Sequence, residues 1–287
     1  MTRLFTFLLL SITACAELDP PTLIERDRVL GAKVTVDVDP ERAWPAPGER
    51  ATVTWLTASP GAPATFSWIL TACPAATSEG MPVCAGPAIA TARMAGLVPI
   101  LELEVPADIA TPSIAVAGAI CATGEPVLDP ATAIAECSDG SRADVVSQHI
   151  FLATDGSANQ NPNLAGAPLT FAGADWTIGD CPSIDAGSKR ALIGVSFAAS
   201  DRELYVDNLG AQTREELQLA AFATSGEIIQ QHTYVDPADD REVAQVAFEW
   251  EPPAKGELAA GAAVEFFLVV RDLRGGVDMT SRTLCVR

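Results

Sequence analysis

The residues able to do chemistry here are few in kind: seven cysteines, two histidines, and 37 Asp and Glu against 18 Lys and Arg over 287 residues. A catalyst needs a nucleophile with its base, an acid/base pair, a metal set or a loop that cradles phosphate. The sequence contains no Gly-x-Ser-x-Gly elbow, no phosphate loop and no His-Glu-x-x-His. His149 and His232 stand alone in sequence, each inside an alternating strand pattern, where a paired or surface imidazole is the expectation. No Cys-x-x-Cys occurs, so cysteine metal binding has no spacing to start from. Carboxylates are too numerous for one pair to be chosen as acid and base. The expectation is a protein without catalytic residues or cofactor.

Calcium is the sharper candidate. Asp155, Ser157, Asn159 and Asn161 alternate as oxygen ligands do in calcium loops, and Asp236, Asp239, Asp240 and Glu242 cluster in "VDPADDRE". The first run lacks the central glycine and the closing acid of a full loop. Charged, Asx-rich turns are the norm between strands. Both are therefore expected to be ordinary connections, with Asp155, Asp236, Asp239 and Asp240 kept as weak calcium candidates. Trp44, in "RAWPAPGE", is either an exposed ring for sugar stacking or, as expected beside a proline, a plug at a sandwich edge.

Cys15 belongs to a different class from the other cysteines. Residues 1–14 carry one charge, Arg3, then an apolar run from Leu4 to Leu10 and small residues. That is the build of a secretory signal, too short for the ~20 residues of a membrane span. Ile12-Thr13-Ala14-Cys15 resembles a bacterial lipobox, whose cysteine is acylated, commonly with palmitate, before the signal is cut away. The alternative is an ordinary signal cleaved near Ala14 or Ala16. Setting Cys15 aside leaves Cys73, Cys84, Cys121, Cys137, Cys181 and Cys285, an even set in a chain expected to be exported, where disulfides persist. Sequence does not fix their connectivity, but neighbour spacing suggests Cys73 with Cys84, Cys121 with Cys137, and Cys181 with Cys285.

The elements that must hold these residues read as strands. Val34/Val36/Val38, Phe66/Trp68/Leu70, Leu101/Leu103/Val105 and Val145/His149/Phe151 alternate between Pro/Gly turns such as "WPAPGE" and "ASPGAP". The second half repeats the habit in Ile193/Val195/Phe197, Val246/Phe248/Trp250 and Val264/Phe266/Leu268/Val270. Thr213-Arg214-Glu215-Glu216 has capping-box spacing, yet Leu217/Leu219/Ala221 suits a strand, which is favoured because its neighbours are strands. The expected fold is all-β: two tandem immunoglobulin-like β-sandwich domains behind a lipoprotein signal peptide. The expected organisation is a signal over 1–14, a lipidated tether over 15–28, a first β-sandwich over 29–154, a linker over 155–162 and a second β-sandwich over 163–287.

"RVLGAKVTVDVDPERAWPAPGERATVTWLTA" at 28–58, "NQNPNL" at the join, and "FEWEPPA" with "FFLVVRDLRGGV" near the end carry a family resemblance. They resemble the uncharacterised bacterial outer-membrane lipoproteins that place immunoglobulin-like or PKD-like modules in tandem behind a lipobox. The resemblance covers nearly the whole chain beyond the signal and implies a fold, not an activity. Ala16 after Cys15 implies delivery to the outer membrane, facing periplasm or cell surface. The net charge of −19 argues against nucleic acid or an anionic membrane surface as partner, since both require clustered Lys and Arg. The functional expectation is a lipid-anchored envelope binding or scaffolding protein without catalytic activity. Its partners would be the membrane, through the lipid on Cys15, and an envelope protein or glycan. The alternatives are a calcium-dependent or carbohydrate-binding adhesin and a hydrolase of envelope polymers.

Overall fold

The computed structural model describes residues 21–287 except 63, 79–80, 129–134, 155–157, 186, 208 and 260, so the signal segment, Cys15 and Asp155 lie outside the described residues. In the first half these residues form β1 (Arg28–Val36), β2 (Arg50–Ala58), β3 (Phe66–Ser78), β4 (Met81–Cys84), β5 (Ala90–Gly96), β6 (Ile100–Glu104), β7 (Ser113–Cys121), β8 (Pro126–Leu128), β9 (Ala135–Cys137) and β10 (Asp144–Phe151). The second half begins with β11 (Leu169–Phe171), β12 (Ala174–Asp175), β13 (Ser183–Ile184), β14 (Ala191–Ala198), β15 (Leu204–Val206) and β16 (Gln212–Arg214). It continues with β17 (Leu217–Ala223), β18 (Glu227–Ile228), β19 (His232–Val235), β20 (Val243–Glu251), β21 (Ala263–Arg271) and β22 (Val277–Val286).

Two sheets face each other in each half. In the first, β1-β2-β6 lies over β10-β7-β3, with β4 and β5 also paired to β3; in the second, β12-β11-β14-β20-β18 lies over β13-β22-β21-β17-β19. Consecutive strands such as β1–β2 and β21–β22 share a sheet, while the chain crosses to the facing sheet between β2 and β3 and on either side of β6, so the chain is two immunoglobulin-like sandwiches in tandem. Alternation explains each core. Val34, Val53, Trp55 and Leu101 from one sheet meet Phe66, Trp68, Leu70, Ile114 and Ile150 from the other. Ile193, Phe197, Phe248 and Trp250 meet Leu219, Phe266, Leu268 and Leu284 likewise. Thr213–Glu216 does not open a helix, because Gln212–Arg214 pairs with β15 in a hairpin and Leu217 begins a strand.

Three disulfides fasten the halves internally: Cys73 to Cys84, Cys121 to Cys137 and Cys181 to Cys285, with Cα atoms 5.4, 5.9 and 5.3 Å apart. The last holds β13 beside β22, where Ser183 and Ile184 pair in parallel with Cys285 and Val286.

The halves share an apolar seam. Ile24, Leu30, Leu56 and Ala58 meet Ala220, Phe222, Phe267, Val269 and Val277 in one buried cluster. Consecutive residues of a strand point to opposite faces, so Phe266 fills the second core while Phe267 fills the seam. A register shift between Val29 and Gly31 makes Leu30 the extra residue of a bulge. This lets Val29 and Ala32 both face the first core while Leu30 turns to the seam. The segment before β1 joins the seam too. Ile24 is fully buried, its amide donates to Ala223 O at 2.8 Å, and the Ala223 amide donates to Thr22 O at 3.0 Å.

Polar clasps rim this seam. Asn161 Nδ2 donates to Val34 O at 2.7 Å and Asn161 Oδ1 accepts from the Val277 amide at 3.0 Å, so one side chain ties both halves. Lys33 Nζ lies 2.8 Å from Asp278 Oδ1, whose partner oxygen accepts from the amides of Leu164 and Ala165.

Candidate binding cleft

β1 and β10 are the edge strands of opposite sheets on one side of the first sandwich. Among the described residues each pairs with one neighbour, β1 with β2 and β10 with β7. A single-sided strand leaves backbone N–H and C=O groups outside the ladder; on β1 side chains take up several of these, at the Val29 amide, Leu30 O and Val34 O, and on β10 His149 O accepts from Gln148 Nε2 at 3.1 Å. Between these two edges opens a cleft of about 900 Å³, walled by Val29–Ala32, by the turn Gly140–Ala143, by Asp144–Gln148, and by Arg271 and Val277 of the second half.

Local interactions set the walls. Asp144 closes one end: its Oδ2 accepts from the Val29 amide at 3.1 Å and its Oδ1 lies 3.4 Å from Arg26 Nη1. Arg271 closes the other, donating to Leu30 O at 2.7 Å, and burial lowers its pKa. Gly31 permits that approach, since a Cβ there would sit 3.1 Å from Arg271 Nη2. Val145 stands 73% exposed on the β10 edge. The side chains lining the cleft are hydroxyls, an amide, apolar groups and opposed charges, a set able to hydrogen-bond a ligand.

A second polar cluster lies where the halves meet. The Arg274 guanidinium stacks over Trp44 and Tyr205, 5.1 and 4.3 Å from their ring centroids, and donates to Glu215 Oε1 at 2.6 Å. Glu215 is pushed up to about 8, first by burial and then by the nearby Asp272 carboxylate. Asp272 is raised as well, chiefly by burial, although Asn159 Nδ2 and the amides of Arg274 and Gly276 donate to it. Asn159 is fully buried, and its Oδ1 has no partner among the described residues. The cluster ties the Trp44 loop, the join and the β21–β22 turn together.

The residues singled out from sequence are scattered among these features. Asp155 and Ser157 lie outside the described residues, while Asn159 and Asn161 are committed to Asp272 and to the seam. Asp236 and Asp239 cap their own turn through the amides of Ala238 and Arg241, and Asp240 is exposed. The backbone carbonyls of Asp236 and Asp239, which a cation would need, face the buried Arg202 guanidinium at 2.7 and 2.9 Å. Among the described residues no group of three or more His, Cys, Asp or Glu is placed to hold a metal ion. Trp44 packs against Phe151 and donates to Arg274 O at 2.9 Å, an edge plug by geometry. His149 stacks on Phe151 with centroids 4.3 Å apart, and burial lowers its pKa; His232 lies on β19.

Neither the cleft nor the Arg274 cluster is visible as a motif. The signal that could have located their surroundings is the unbroken apolar run Phe266–Val270, which alternation for a single core does not require.

No family model matches the chain, and no curated protein matches it. Among solved structures it is similar to a red sea bream transglutaminase at 11% identity and TM-score 0.25, covering 91% of this chain and 32% of that one. The chain thus spans about a third of that enzyme's length. It is also similar to fibronectin(III)-like modules of Clostridium thermocellum CbhA, at 12% identity and TM-score 0.25, covering 88% of this chain and 94% of that one. Against the Enterococcus faecalis MSCRAMM ACE the identity is 9% and the TM-score 0.21, covering 89% and 94%.

Proposed function

We propose that this chain is a lipid-anchored envelope protein that binds a partner without transforming it, held to the outer membrane by acylated Cys15. The observation that carries the binding reading is the cleft between β1 and β10. It is about 900 Å³, flanked by two single-sided strand edges and lined by groups suited to recognition. The seam supports a scaffolding role, because a buried apolar interface with hydrogen-bonded clasps keeps the two sandwiches in one orientation.

Two measurements test this. Cys15→Ser should release the protein from the detergent phase in a phase-partition assay; unchanged partition would sink the anchor. A photo-crosslinker installed at Val145 in intact envelopes should give discrete adducts, while one at the equally exposed Val38, away from the cleft, should not. Equal labelling from both positions would remove the cleft as the binding site.

A further inference from the structure

We infer that the ligand of the cleft is an extended polypeptide segment of low net charge, added as a strand along the free edge of β10. This rests on the binding reading above and names its ligand class.

The chain contains its own precedent. In the second sandwich, β22 takes the place that β10 has in the first, as the last strand and the neighbour of the penultimate long strand. There the last two residues of β22 have a strand on their outer side: Ser183 and Ile184 of β13 pair in parallel with Cys285 and Val286, the Cys285 amide donating to Pro182 O at 3.0 Å and the Arg287 amide to Ile184 O at 2.9 Å. Cys181 then locks the added strand by its disulfide to Cys285. In the first sandwich no described segment fills that position, although β10 runs for eight residues. The same fold therefore accepts an added strand at the end of one such edge, while the β10 edge lies beside a cleft. A strand entering it would pair backbone to backbone, which is how extended peptides join an exposed edge.

Charge defines the segment further. Arg142, Arg271, Glu136 and Asp144 line the cleft, with Asp144 already paired to Arg26 and Arg271 to Leu30 O, so charges of both signs are present there inside a chain whose net charge is −19. A strongly acidic segment would be repelled by the chain's net negative charge, and a lining of mixed sign offers no field of one sign for a strongly charged strand to match, so the cleft suits a near-neutral one. The same argument disfavours a second copy of this chain, because two bodies of charge −19 repel at low ionic strength. The wall at Arg271 and Val277 is continuous with the seam, so the second sandwich delimits how far the added strand can run.

The experiment uses the full chain in mild detergent and the blocked peptide acetyl-Thr-Val-Thr-Val-Thr-Val-Thr-amide, read by hydrogen exchange with mass spectrometry. Exchange over 144–151 and 28–32 should slow several-fold on adding peptide. A peptide N-methylated at alternate residues, which lacks the needed donors, should give no protection. Val145→Lys should abolish the effect, since a lysine on an edge strand blocks pairing, while Val38→Lys should leave it intact. Ser147→Lys, also on the exposed side of β10, gives a second variant should Val145→Lys lower the melting temperature. No protection at about 1 mM peptide, where even a ~4 kcal/mol interaction is half-saturated, overturns the inference. So does protection confined to other strands, or protection that persists in both lysine variants. Protection of 144–151 that grows with protein concentration in the absence of peptide would make a second copy the occupant and equally overturn it. None of these outcomes depends on Cys15, so they leave the anchor to be judged by its own assay.

Discussion

Replacing Asn161 by alanine is the most direct probe of how the two halves are held. Its side chain donates to Val34 O in the first half and accepts from the Val277 amide in the second, at 2.7 and 3.0 Å. Both partner residues are buried, Val34 at 1% and Val277 at 5% exposure. Truncation therefore strands one acceptor and one donor, and each buried unsatisfied group costs about 1–3 kcal/mol. Asn161 also lines a cleft of about 410 Å³ at the seam, through which water can reach the vacated position. That rescue puts the loss near the low end, about 2 kcal/mol. For a chain of this size, 1 kcal/mol moves the melting temperature by roughly 2–4 °C, so a drop of roughly 4–8 °C is expected. The assay is thermal and urea unfolding followed by tryptophan fluorescence and circular dichroism together. With the seam and clasps intact the two probes should report one transition. Asn161→Asp separates the two bonds, since a carboxylate still accepts from Val277 but can no longer donate to Val34. Because its carboxylate oxygen would face the Val34 and Glu41 carbonyls, it should lose at least as much as Asn161→Ala. A shift below about 1 °C for Asn161→Ala, or separate transitions of which neither moves, would refute the clasp.

Ile24→Ala should destabilise the whole protein by roughly 2–5 kcal/mol, the cost of a fully buried large-to-small change; a variant as stable as the parent in urea would show that the segment before β1 contributes nothing to the seam. Cys285→Ser opens a loop of 104 residues and should cost about 4–5 kcal/mol, against about 3 for Cys73→Ser with its separation of 11, and non-reducing peptide maps must first return the Cys181–Cys285 pair. Glu215 adds a pH dependence. Its folded pKa of about 8 lies above its ordinary 4.5, so its favourable contribution is complete below 4.5 and is lost as pH rises through 8. Stability should fall across that window, and Glu215→Gln should flatten the fall; parallel melting curves against pH for the two proteins would contradict the assignment.

How far the sequence could be read follows from what each feature demands. Period-two alternation appears wherever a strand has one wet face, so Val34/Val36, Phe66/Trp68/Leu70 and Ile193/Val195/Phe197 are legible as strands, and the all-β fold follows. The disulfide pairs are legible because neighbouring cysteines on adjacent strands are close both in sequence and in space, while Cys181 and Cys285 are what remains. The seam is harder. Phe266–Val270 and Leu219–Ala223 look merely apolar, and two-sided burial is only inferred once a partner surface is in view. Leu30 is harder still, since the bulge that redirects it leaves no mark in a pattern where every second residue is apolar. The Asx-rich join is misleading in another way. Oxygen-bearing side chains suit cations and backbone amides alike, and at Asn159 and Asn161 the hydrogen-bonding partners are on the protein. The cleft has no sequence signature, because an edge is defined by which strand is missing beside it.

The burial of Thr22 and Ile24 bears on where a lipid-anchored protein of this fold stands. Thr22 is 3% exposed and hydrogen-bonded to Ala223 in the second half, so the body is fixed from that residue onward. Covalent geometry allows roughly 25 Å between Cys15 and Thr22 even in a fully extended chain. An acyl group on Cys15 would thus hold the seam, and not the far tip of either sandwich, close to the bilayer. Arg26, four residues beyond Thr22, lies against Asp144 at one end of the cleft. Under the proposed anchor, the Asp144 end of the cleft is the end nearer the lipid along the chain. A strand reaching the β10 edge would have to come from a partner that is itself at the membrane, or long enough in its unfolded part to enter a gap of that height. Under the proposed anchor, an envelope-resident protein with an extended segment suits that placement better than a freely diffusing folded one.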